Sequence, residues 1–352
     1  MGKLIKLPGI IDSHVHLRDP GATLKEDFYT GTCAALAGGV VAVIDMPNNP
    51  EPTTSIKALA KKEKLAAQKC VCDYGFYFGA SLDNYNLAKE VYQKVKGLKI
   101  YMDHTTGTLL IEDLIVLEKH FQNWPKTKPI LVHAEDATLT KAIALAFVYN
   151  KWLHVCHVSQ QSELELIKKA KQKGVKITCE VTPHHLFLTN NDEKRLDGFA
   201  KVRPPLRTKQ DQQALWKAIN SGLIDYIATD HAPHTIKEKK SKNPPFGIPS
   251  IETRLPLLLT AVSKGKLTLN KLIKLISTNP AKIFKINLNN SWVEVDLNKT
   301  WIIKNKDLKT KCGWSPYHGL KVKGKVVRVF IRGKKVFENG KILVKKGFGK
   351  PL

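Results

Sequence analysis

The sequence has few arginines, few cysteines and no long apolar segment. Seven of its 57 basic residues are arginine, and its six cysteines are scattered over 352 residues. Widely spaced cysteines argue against the dense disulfide framework of a small secreted domain, so we interpret them as reduced thiols. No apolar run approaches the length of a membrane-spanning helix, and the N-terminus lacks the apolar segment of a signal peptide. These absences predict a cytosolic (cytoplasmic) protein without membrane association.

The other basic residues are lysines, and they give the chain a net charge of +26. A surface this basic attracts polyanions, which makes nucleic acid a candidate partner. The lysines are spread over predicted helix faces and the C-terminal region, so we favour solvated surface lysines over nucleic-acid binding. The same charge favours a small anionic substrate. Because arginine is scarce, Arg18 and Arg203 are informative wherever they stand near a motif.

Apolar strand-like runs alternate with amphipathic helical stretches between residue 10 and about residue 265. The predicted strands comprise residues 10–18, 40–46, 71–78, 98–102, 130–135, 152–158, 175–181 and 224–230. Predicted helices include residues 25–36, 55–68, 112–124, 163–173 and 210–220. Eight strands alternating with helices predict an α/β fold, specifically a (β/α)8 TIM-like barrel. The alternative is an open doubly wound sheet, which the absence of a Gly-rich turn after the first strand disfavours.

The pattern changes after residue 265. Two helical segments lead to short β-like pieces at residues 292–295, 301–303, 326–332 and 334–344, and Asn339-Gly340 signals a tight turn. We therefore expect two units. Residues 1–289 form the barrel, and residues 290–352 form a small C-terminal β appendage that packs on it.

The first predicted strand carries two histidines, because residues 10–18 read IIDSHVHLR. Side chains alternate between the two faces of a strand, so His14 and His16 project side by side from one face. Such a pair suits a metal ion. Two structural histidines in a half-buried strand would have the same pattern.

Polar residues also stand at or just past the ends of the other predicted strands, at Asn48, Lys99, His133, His157, Glu180 and Asp230. In a barrel these strand ends converge on the rim where active sites lie. Four imidazoles with Lys99 and Asp230 predict a binuclear metal centre, and ligands of these types suit zinc. Lys99 fits such a centre only if its amine is carboxylated, because a protonated lysine cannot bind a cation.

The segments around these residues resemble the amidohydrolase superfamily, and within it the dihydroorotases. They read HVHLR, MPN, GLKIY, VHAE, HVCHV, CEVTPHHLFL, VRPPLR and TDHAPH, in this order along the chain. The similarity extends over nearly the whole chain. It looks most like the dihydroorotase domain of the animal multifunctional pyrimidine-synthesis protein.

This resemblance implies a metal centre of known composition. His14, His16 and Asp230 would bind one zinc ion, His133 and His157 a second, and carboxylated Lys99 would bridge them. A third ion is implied near Cys156, Glu180 and His185. For Cys156 and Glu180 the simpler interpretations are a buried thiol and a carboxylate that orients a histidine.

The resemblance also implies substrate contacts and an activity. Arg18, Asn48 and His234 would hold the substrate α-carboxylate, Arg203 would make a further contact, and the backbone at Phe246 and Gly247 would line the ring. The implied reaction is the reversible cyclisation of N-carbamoyl-L-aspartate to L-dihydroorotate in pyrimidine biosynthesis, with Asp230 as the catalytic acid and base. The family also suggests a homodimer and association with aspartate transcarbamoylase.

Two alternatives remain open at this point. A hydantoinase or allantoinase would use the same metal centre on another cyclic amide. A non-catalytic scaffold protein with the amidohydrolase fold is the second alternative, and such relatives typically lack metal ligands.

The loop at residues 102–107, MDHTTG, departs from the animal-type pattern. The animal-type domain has an aromatic residue after the threonine, whereas here Thr105 is followed by Thr106. We expect both threonines to close over the substrate as a lid. A plain polar connector is the alternative.

Overall fold

The computed structural model describes residues 4–352. Its strands are β1 (Leu4–Pro8), β2 (Ile10–Val15), β3 (Val40–Asp45), β4 (Asp73–Phe76), β5 (Phe78–Gly79), β6 (Leu98–Tyr101), β7 (Ile130–His133), β8 (Leu153–Val155), β9 (Ile177–Val181), β10 (Tyr226–Ile227), β11 (Trp292–Ile302), β12 (Lys321–Ile331), β13 (Lys334–Glu338) and β14 (Lys341–Ile342).

The α-helices are α1 (Phe28–Ala37), α2 (Ile56–Lys69), α3 (Ala88–Val91), α4 (Leu114–Asn123), α5 (Asp136–Val148), α6 (Gln161–Gln172), α7 (Pro183–Phe187), α8 (Asn190–Leu196), α9 (Lys209–Ser221), α10 (Ile236–Lys239), α11 (Arg254–Ser263), α12 (Leu269–Ile273) and α13 (Asn279–Phe284). A π-helical turn, Lys274–Thr278, joins α12 to α13, and 3-10 turns occupy Tyr85–Leu87, Tyr92–Lys94, Asp197–Ala200 and Asn305–Asp307. Within residues 4–352, none of these helices has the length and apolar character needed to cross a membrane.

Strands β2 to β10 form the wall of a parallel barrel. Two parallel sheets, β2-β3-β4 and β5-β6-β7-β8-β9-β10, make up this wall. β4 continues into β5 through Tyr77, whose amide donates to the carbonyl of Asp45 in β3. A parallel bridge pairs Val15 at the end of β2 with His231 beyond β10. The predicted (β/α)8 barrel is confirmed, with β4 and β5 forming one interrupted strand where the sequence predicted a continuous one.

Side-chain caps determine where the outer helices begin. The Asp27 carboxylate accepts from the Thr30 amide, so α1 begins at Phe28 rather than at the predicted residue 25. Thr208 caps α9 in the same way, and Gly222 ends that helix with a φ of 81°, a left-handed conformation that glycine adopts without strain. Local sequence therefore sets the points at which the chain turns back toward the next strand.

The core has a large and a small part. Strands β2 and β3 are buried along their whole length, because parallel barrel strands face the interior on one side and helices on the other. A smaller apolar cluster, which includes Leu206, Ile248, Trp314 and Val322, joins the loops at the barrel mouth to the C-terminal region. This second cluster attaches the last part of the chain to the segments around the predicted site.

A second, antiparallel sheet has the strand order β1-β11-β12-β13-β14. The turn Arg332-Gly333 joins β12 to β13, and Asn339-Gly340 joins β13 to β14, with positive φ at all four residues as tight hairpin turns require. The sequence placed residues 1–289 in the barrel unit, whereas the structure pairs β1, at Leu4–Pro8, with β11 in the second sheet. The division at residue 289 otherwise stays a prediction.

Candidate active site

The structure brings the six predicted ligand residues together at one end of the barrel. His14 lies in β2 and His133 is the last residue of β7, whereas His157 and Asp230 follow β8 and β10 within three residues. Lys99 lies deeper, one residue into β6, and is fully buried. The remaining member, His16, directly follows β2.

One cluster is centred on Asp230. Its Oδ1 lies 2.9 Å from His16 Nε2 and 3.3 Å from His14 Nε2. The far nitrogens of both rings are also engaged, because His14 Nδ1 contacts Glu180 and His16 Nδ1 lies 2.7 Å from Asn48 Oδ1. The ligand atoms of His14, His16 and Asp230 lie within 4.8 Å of one another. An acceptor behind each ring holds the Nε2 atoms toward a common point, as in metal sites.

A second cluster contains His133, His157 and Lys99. His133 Nδ1 lies 2.8 Å from His157 Nε2, and the other nitrogen of each ring is buried without a partner among the described residues. Lys99 Nζ has Cys156 Sγ, at 3.0 Å, as its hydrogen-bond partner rather than a carboxylate. Burial and the nearby Lys99 charge lower the pKa of both histidines. They are therefore neutral, which is the form that binds a metal ion.

These residues fit a divalent metal centre. Buried nitrogens without partners are costly unless a ligand satisfies them. Burial lowers the pKa of His14, but the carboxylates of Glu180 and Asp230 outweigh this and raise it to about 10. The cluster therefore combines imidazole nitrogens without partners with two buried carboxylates that favour positive charge at His14, and such ligand types suit a divalent cation.

A further group of candidate ligand atoms comprises His14, Cys156 and Glu180. His185 does not join it, because its Nδ1 lies 2.8 Å from Thr182 Oγ1 and its Nε2 3.2 Å from the Pro204 carbonyl. The neighbouring His184, which the sequence did not single out, is buried with both ring nitrogens unpartnered within residues 4–352. Burial lowers the pKa of His184 to about 4, partly offset by Asp230. Adjacent helical residues point about 100° apart, and the resemblance named His185 rather than His184.

Arg18 and His234 form a buried polar cluster beside the ligands. His234 donates from Nε2 to the Phe246 carbonyl at 2.9 Å and accepts from Lys25 at Nδ1 at 3.1 Å. Burial and the charges of Arg18 and Lys25 lower its pKa, so the ring is neutral. The Arg18 guanidinium donates to the Pro233 carbonyl at 3.1 Å and also lies 3.1 Å from His234 Nε2. This buried cation has uncharged partners, and its remaining N–H groups suit an anion.

The 102–107 loop lies against the mouth of the barrel through Thr106. Asn48 Nδ2 donates to the Thr106 carbonyl at 2.9 Å, and Thr106 Oγ1 donates to the Phe246 carbonyl at 3.1 Å. Thr105 makes no side-chain hydrogen bond to the described residues. The two threonines are therefore not equivalent, and only Thr106 joins the two sides of the mouth.

Two other predicted contacts differ in their placement. Gly247 has a φ of 129°, and a Cβ there would lie 2.6 Å from the Ala232 carbonyl, so glycine lets the 246–247 segment approach the 231–234 loop. Arg203 is 37% exposed and forms an ion pair with Glu135, with Nε 3.0 Å from Oε1, in a geometry that makes no hydrogen bond. Arg207 binds the other oxygen of Glu135 at 2.7 Å. The structure thus pairs Arg203 with a carboxylate outside the metal cluster.

Three residues of the site adopt the left-handed backbone region. The φ angles are 62° at Arg18, 36° at His157 and 45° at Asp230. For residues with a side chain this conformation costs on the order of 1 kcal/mol or more, and it persists where surrounding contacts enforce it. Each of the three follows a barrel strand, so the strain is concentrated where the ligands and the buried cation project from the rim.

Comparison with known proteins gives a consistent set of relatives. The model of the amidohydrolase family matches residues 5–336. The chain is 47% identical over 352 residues to the multifunctional protein CAD of Squalus acanthias, which covers 99% of this chain but 16% of that protein. It is 39% identical over 370 residues to the dihydroorotase of Pyrococcus horikoshii, which covers 98% of this chain and 83% of that protein.

Solved structures share the fold over nearly the whole chain. The L-hydantoinase of Arthrobacter aurescens has a TM-score of 0.94 at 27% identity, covering 99% of this chain and 88% of that one. The inactive dihydroorotase-like domain of a CAD-like multifunctional protein of Chaetomium thermophilum has a TM-score of 0.85 at 28% identity, covering 99% of both chains. Similar barrels therefore occur in relatives described as active and in one described as inactive.

Proposed function

The chain belongs to the amidohydrolase family, and from that premise we propose that it is a dihydroorotase that interconverts N-carbamoyl-L-aspartate and L-dihydroorotate in pyrimidine biosynthesis. One observation carries the proposal. Buried candidate metal ligands lie at the same barrel mouth as the buried Arg18 cation, which donates to the uncharged Pro233 carbonyl. A centre for amide chemistry beside an unpaired cation suits a cyclic amide that carries a carboxylate.

His14, His16 and Asp230 would hold one zinc ion, and His133 and His157 a second. Carboxylation would turn Lys99 from a buried cation into an anionic ligand beside these histidines, which accounts for its place in β6. Bound zinc supplies Lewis-acid activation of the amide carbonyl and of water. A third ion near Cys156, Glu180 and His185 stays a prediction, and Glu180 in either case orients the His14 ring.

Asp230 is the residue that moves the proton. Burial opposes ionisation of its carboxylate, but His14 and His16 outweigh burial and lower its pKa, so it is in the ionised form that a general base requires. In hydrolysis a water oxygen adds to the ring carbonyl carbon and the carbon–nitrogen bond breaks. Asp230 takes the proton from water and delivers it to the leaving ring nitrogen. In synthesis the ureido nitrogen attacks the carboxyl carbon and water leaves.

Arg18 would hold the substrate carboxylate. Contacts of Asn48 and His234 with it stay predictions, because both ring nitrogens of His234 and the Nδ2 atom of Asn48 already have partners. The planar guanidinium presents paired N–H donors to both carboxylate oxygens, a geometry that lysine does not reproduce. Thr106 joins Asn48 to the Phe246 backbone, which places the 102–107 loop where it excludes water from the bound ring. Substrate contacts of Thr105 and Arg203 stay predictions, and Arg203 would have to leave Glu135 to make one.

A hydantoinase is the second candidate, because the Arthrobacter aurescens enzyme shares the fold at a TM-score of 0.94. Arg18 favours the first candidate, since a buried cation is best used on a substrate with a carboxylate. The scaffold alternative is less well supported, because all six ligand residues are retained and lie together at one end of the barrel. A homodimer, association with aspartate transcarbamoylase and a cytosolic location stay predictions.

The test is turnover of dihydroorotate, hydantoin and allantoin in parallel, combined with metal counting. We expect dihydroorotate to be the preferred substrate and two or three zinc ions per chain. Lys99→Ala is expected to lose bound metal and to lower kcat by about 100-fold or more, as loss of a ligand does. Lys151→Ala is the matched control, because Lys151 is also buried but lies before β8, at the other end of the barrel.

Turnover of hydantoin alone would overturn the choice of substrate. A Lys99→Ala protein with unchanged metal content and activity would contradict the role of Lys99. Wild-type protein that neither binds zinc nor gains activity when zinc is added would favour a scaffold.

A further inference from the structure

A lysine and an aspartate form a buried ion pair behind the turn at residues 46–49. Lys62 in α2 is 0% exposed and Asp45 at the end of β3 is 1% exposed. Their Nζ and Oδ2 atoms lie 2.6 Å apart. Burying two charges is costly even when they pair, unless further hydrogen bonds satisfy both groups. The other hydrogen bonds of Lys62 and Asp45 therefore indicate the role of the pair.

The remaining donors of Lys62 hold the turn that carries Asn48. Nζ donates to the Met46 carbonyl at 2.7 Å and to Asn49 Oδ1 at 2.9 Å. These two hydrogen bonds satisfy two of the three ammonium protons, and Asp45 Oδ2 neutralises the charge from 2.6 Å in a geometry that makes no hydrogen bond. They lie on both sides of Asn48 in the sequence, so one buried cation restrains the backbone before and after that residue.

Asp45 holds the segment that carries Arg18. Its Oδ1 accepts from the amide of Leu17 at 2.6 Å, while Oδ2 binds Lys62. The next residue, Arg18, has a φ of 62°, a conformation that needs support from surrounding contacts. The Asp45 carboxylate supplies such a contact directly before the strained residue.

We infer that the Lys62–Asp45 pair is a positioning device that sets the placement of Arg18 relative to Asn48, and thereby the affinity for the substrate carboxylate. The inference rests on the proposed function, in which Arg18 would hold the carboxylate and Asn48 is predicted to contact it. Lys62 and Asp45 are positioning residues rather than catalytic ones, because they act through the backbone at Leu17 and at the 46–49 turn. The carboxylate is bound in the ground state and the transition state alike, so its misplacement raises KM more than it lowers kcat.

The test is the double variant Asp45→Asn/Lys62→Met, which removes both charges without leaving one buried alone. We expect KM for dihydroorotate to rise about 10-fold, with kcat within about 3-fold of wild type and zinc content unchanged. Calorimetric binding of orotate, a planar ring with the same carboxylate, is expected to weaken by about 10-fold in parallel.

Lys151→Met is the matched control. Lys151 is a buried lysine whose ammonium donates to the carbonyls of Gln122 and Trp124, away from the mouth. We expect its KM and its affinity for orotate to equal those of wild type. An equal rise of KM in this variant would assign the effect to general loss of stability and would overturn the inference.

Circular dichroism would show whether the double variant folds. If it does not, Asp45→Asn alone keeps an acceptor for the Leu17 amide while abolishing the ion pair, and a rise of KM by about 3-fold is expected. Unchanged KM and orotate affinity in a folded variant, or a fall in kcat at constant KM, would overturn the inference and leave the proposed function intact. Wild-type protein without dihydroorotate turnover would refute both.

Discussion

Buried polar groups at the two ends of the barrel differ in whether they have hydrogen-bond partners. At the mouth, ring nitrogens of His133 and His157 have no partner among the described residues, and the amine of Lys99 contacts a sulfur atom. At the opposite end, the buried Lys151 donates to two main-chain carbonyls at 2.9 and 2.6 Å. Similar residue types are satisfied by the fold at one end and left unsatisfied at the other.

This difference separates stability from function. Satisfied buried donors contribute to the free energy of unfolding, whereas unsatisfied ones cost stability and are retained where a ligand completes them. Substitutions at the mouth should therefore remove activity with little loss of stability. Substitutions at the base should lower stability and leave activity unchanged.

The largest effect is expected at the two aspartates that flank β10. Asp230→Asn removes the proton acceptor at the mouth and should lower kcat by about 1,000-fold, as loss of a general base does. Asparagine tolerates the positive φ of this position, so the melting temperature should change little. Steady-state kinetics and thermal unfolding measure the two effects.

Asp225→Asn is the matched control at the start of the same strand. Asp225 accepts from the Cys179 amide at 2.8 Å and pairs with Lys171 at 3.0 Å, so its loss should lower stability by about 1–2 kcal/mol while turnover is kept. A similar loss of activity in both variants would break the contrast between the two ends.

The next substitution, Lys151→Met, is expected to change the free energy of unfolding without changing activity. Lys151→Met leaves two carbonyls without their donor and should lower the free energy of unfolding by about 3 kcal/mol, with kcat unchanged. Urea denaturation measures this loss. A variant as stable as wild type would show that satisfied donors at the base contribute less than we infer.

Glu252 provides a pH test. It accepts from the amides of Lys309 and Thr310 at 2.8 and 2.9 Å, and burial, with the nearby Glu26 charge, raises its pKa to about 7 despite these bonds. Between about pH 4.5 and pH 7, the folded state therefore keeps a proton on Glu252 that the unfolded chain has released. Stability should fall by about 1–2 kcal/mol as the pH rises through this window.

Glu252→Gln should remove this pH dependence, as measured by unfolding at several pH values. Glutamine keeps an acceptor oxygen for the two amides but does not titrate in the window. A variant with the same slope as wild type would assign the dependence to another group.

The smallest effect is expected in the 102–107 loop. Thr106→Ala loses the bond to the Phe246 carbonyl and should raise KM by about 5-fold, which corresponds to about 1 kcal/mol. Thr105→Ala should leave KM unchanged, because its hydroxyl makes no bond to the described residues. Equal effects of the two substitutions would restore the expectation that both threonines close over the substrate.

Much of the architecture could be predicted because it follows from local rules. The eight-strand barrel follows from alternating apolar and helical segments. The expectation that His14 and His16 lie on one face, and that they approach Asp230, needs only the alternation of a strand and the convergence of strand ends. These rules act on residues close in sequence or on a repeated unit.

The rest depends on contacts between residues distant in sequence. Arg203 pairs with Glu135. The imidazole whose nitrogens lack partners among the described residues is that of His184 rather than His185. Thr106 rather than Thr105 reaches Phe246. In each case a short motif named the right neighbourhood, but the orientation of one side chain relative to its neighbour was decided by the tertiary structure.

The pairing of β1 with β11 has a consequence for biosynthesis. Leu4 aligns with Asp296, so β1 leaves the ribosome well before the strand with which it pairs. The residues of the barrel are all synthesised in between, and N-terminal segments fold first during translation. Until β11 emerges, β1 remains a strand with open edges on a nascent barrel, and such edges promote association with other chains. Closing this sheet is therefore a late event in the maturation of the protein.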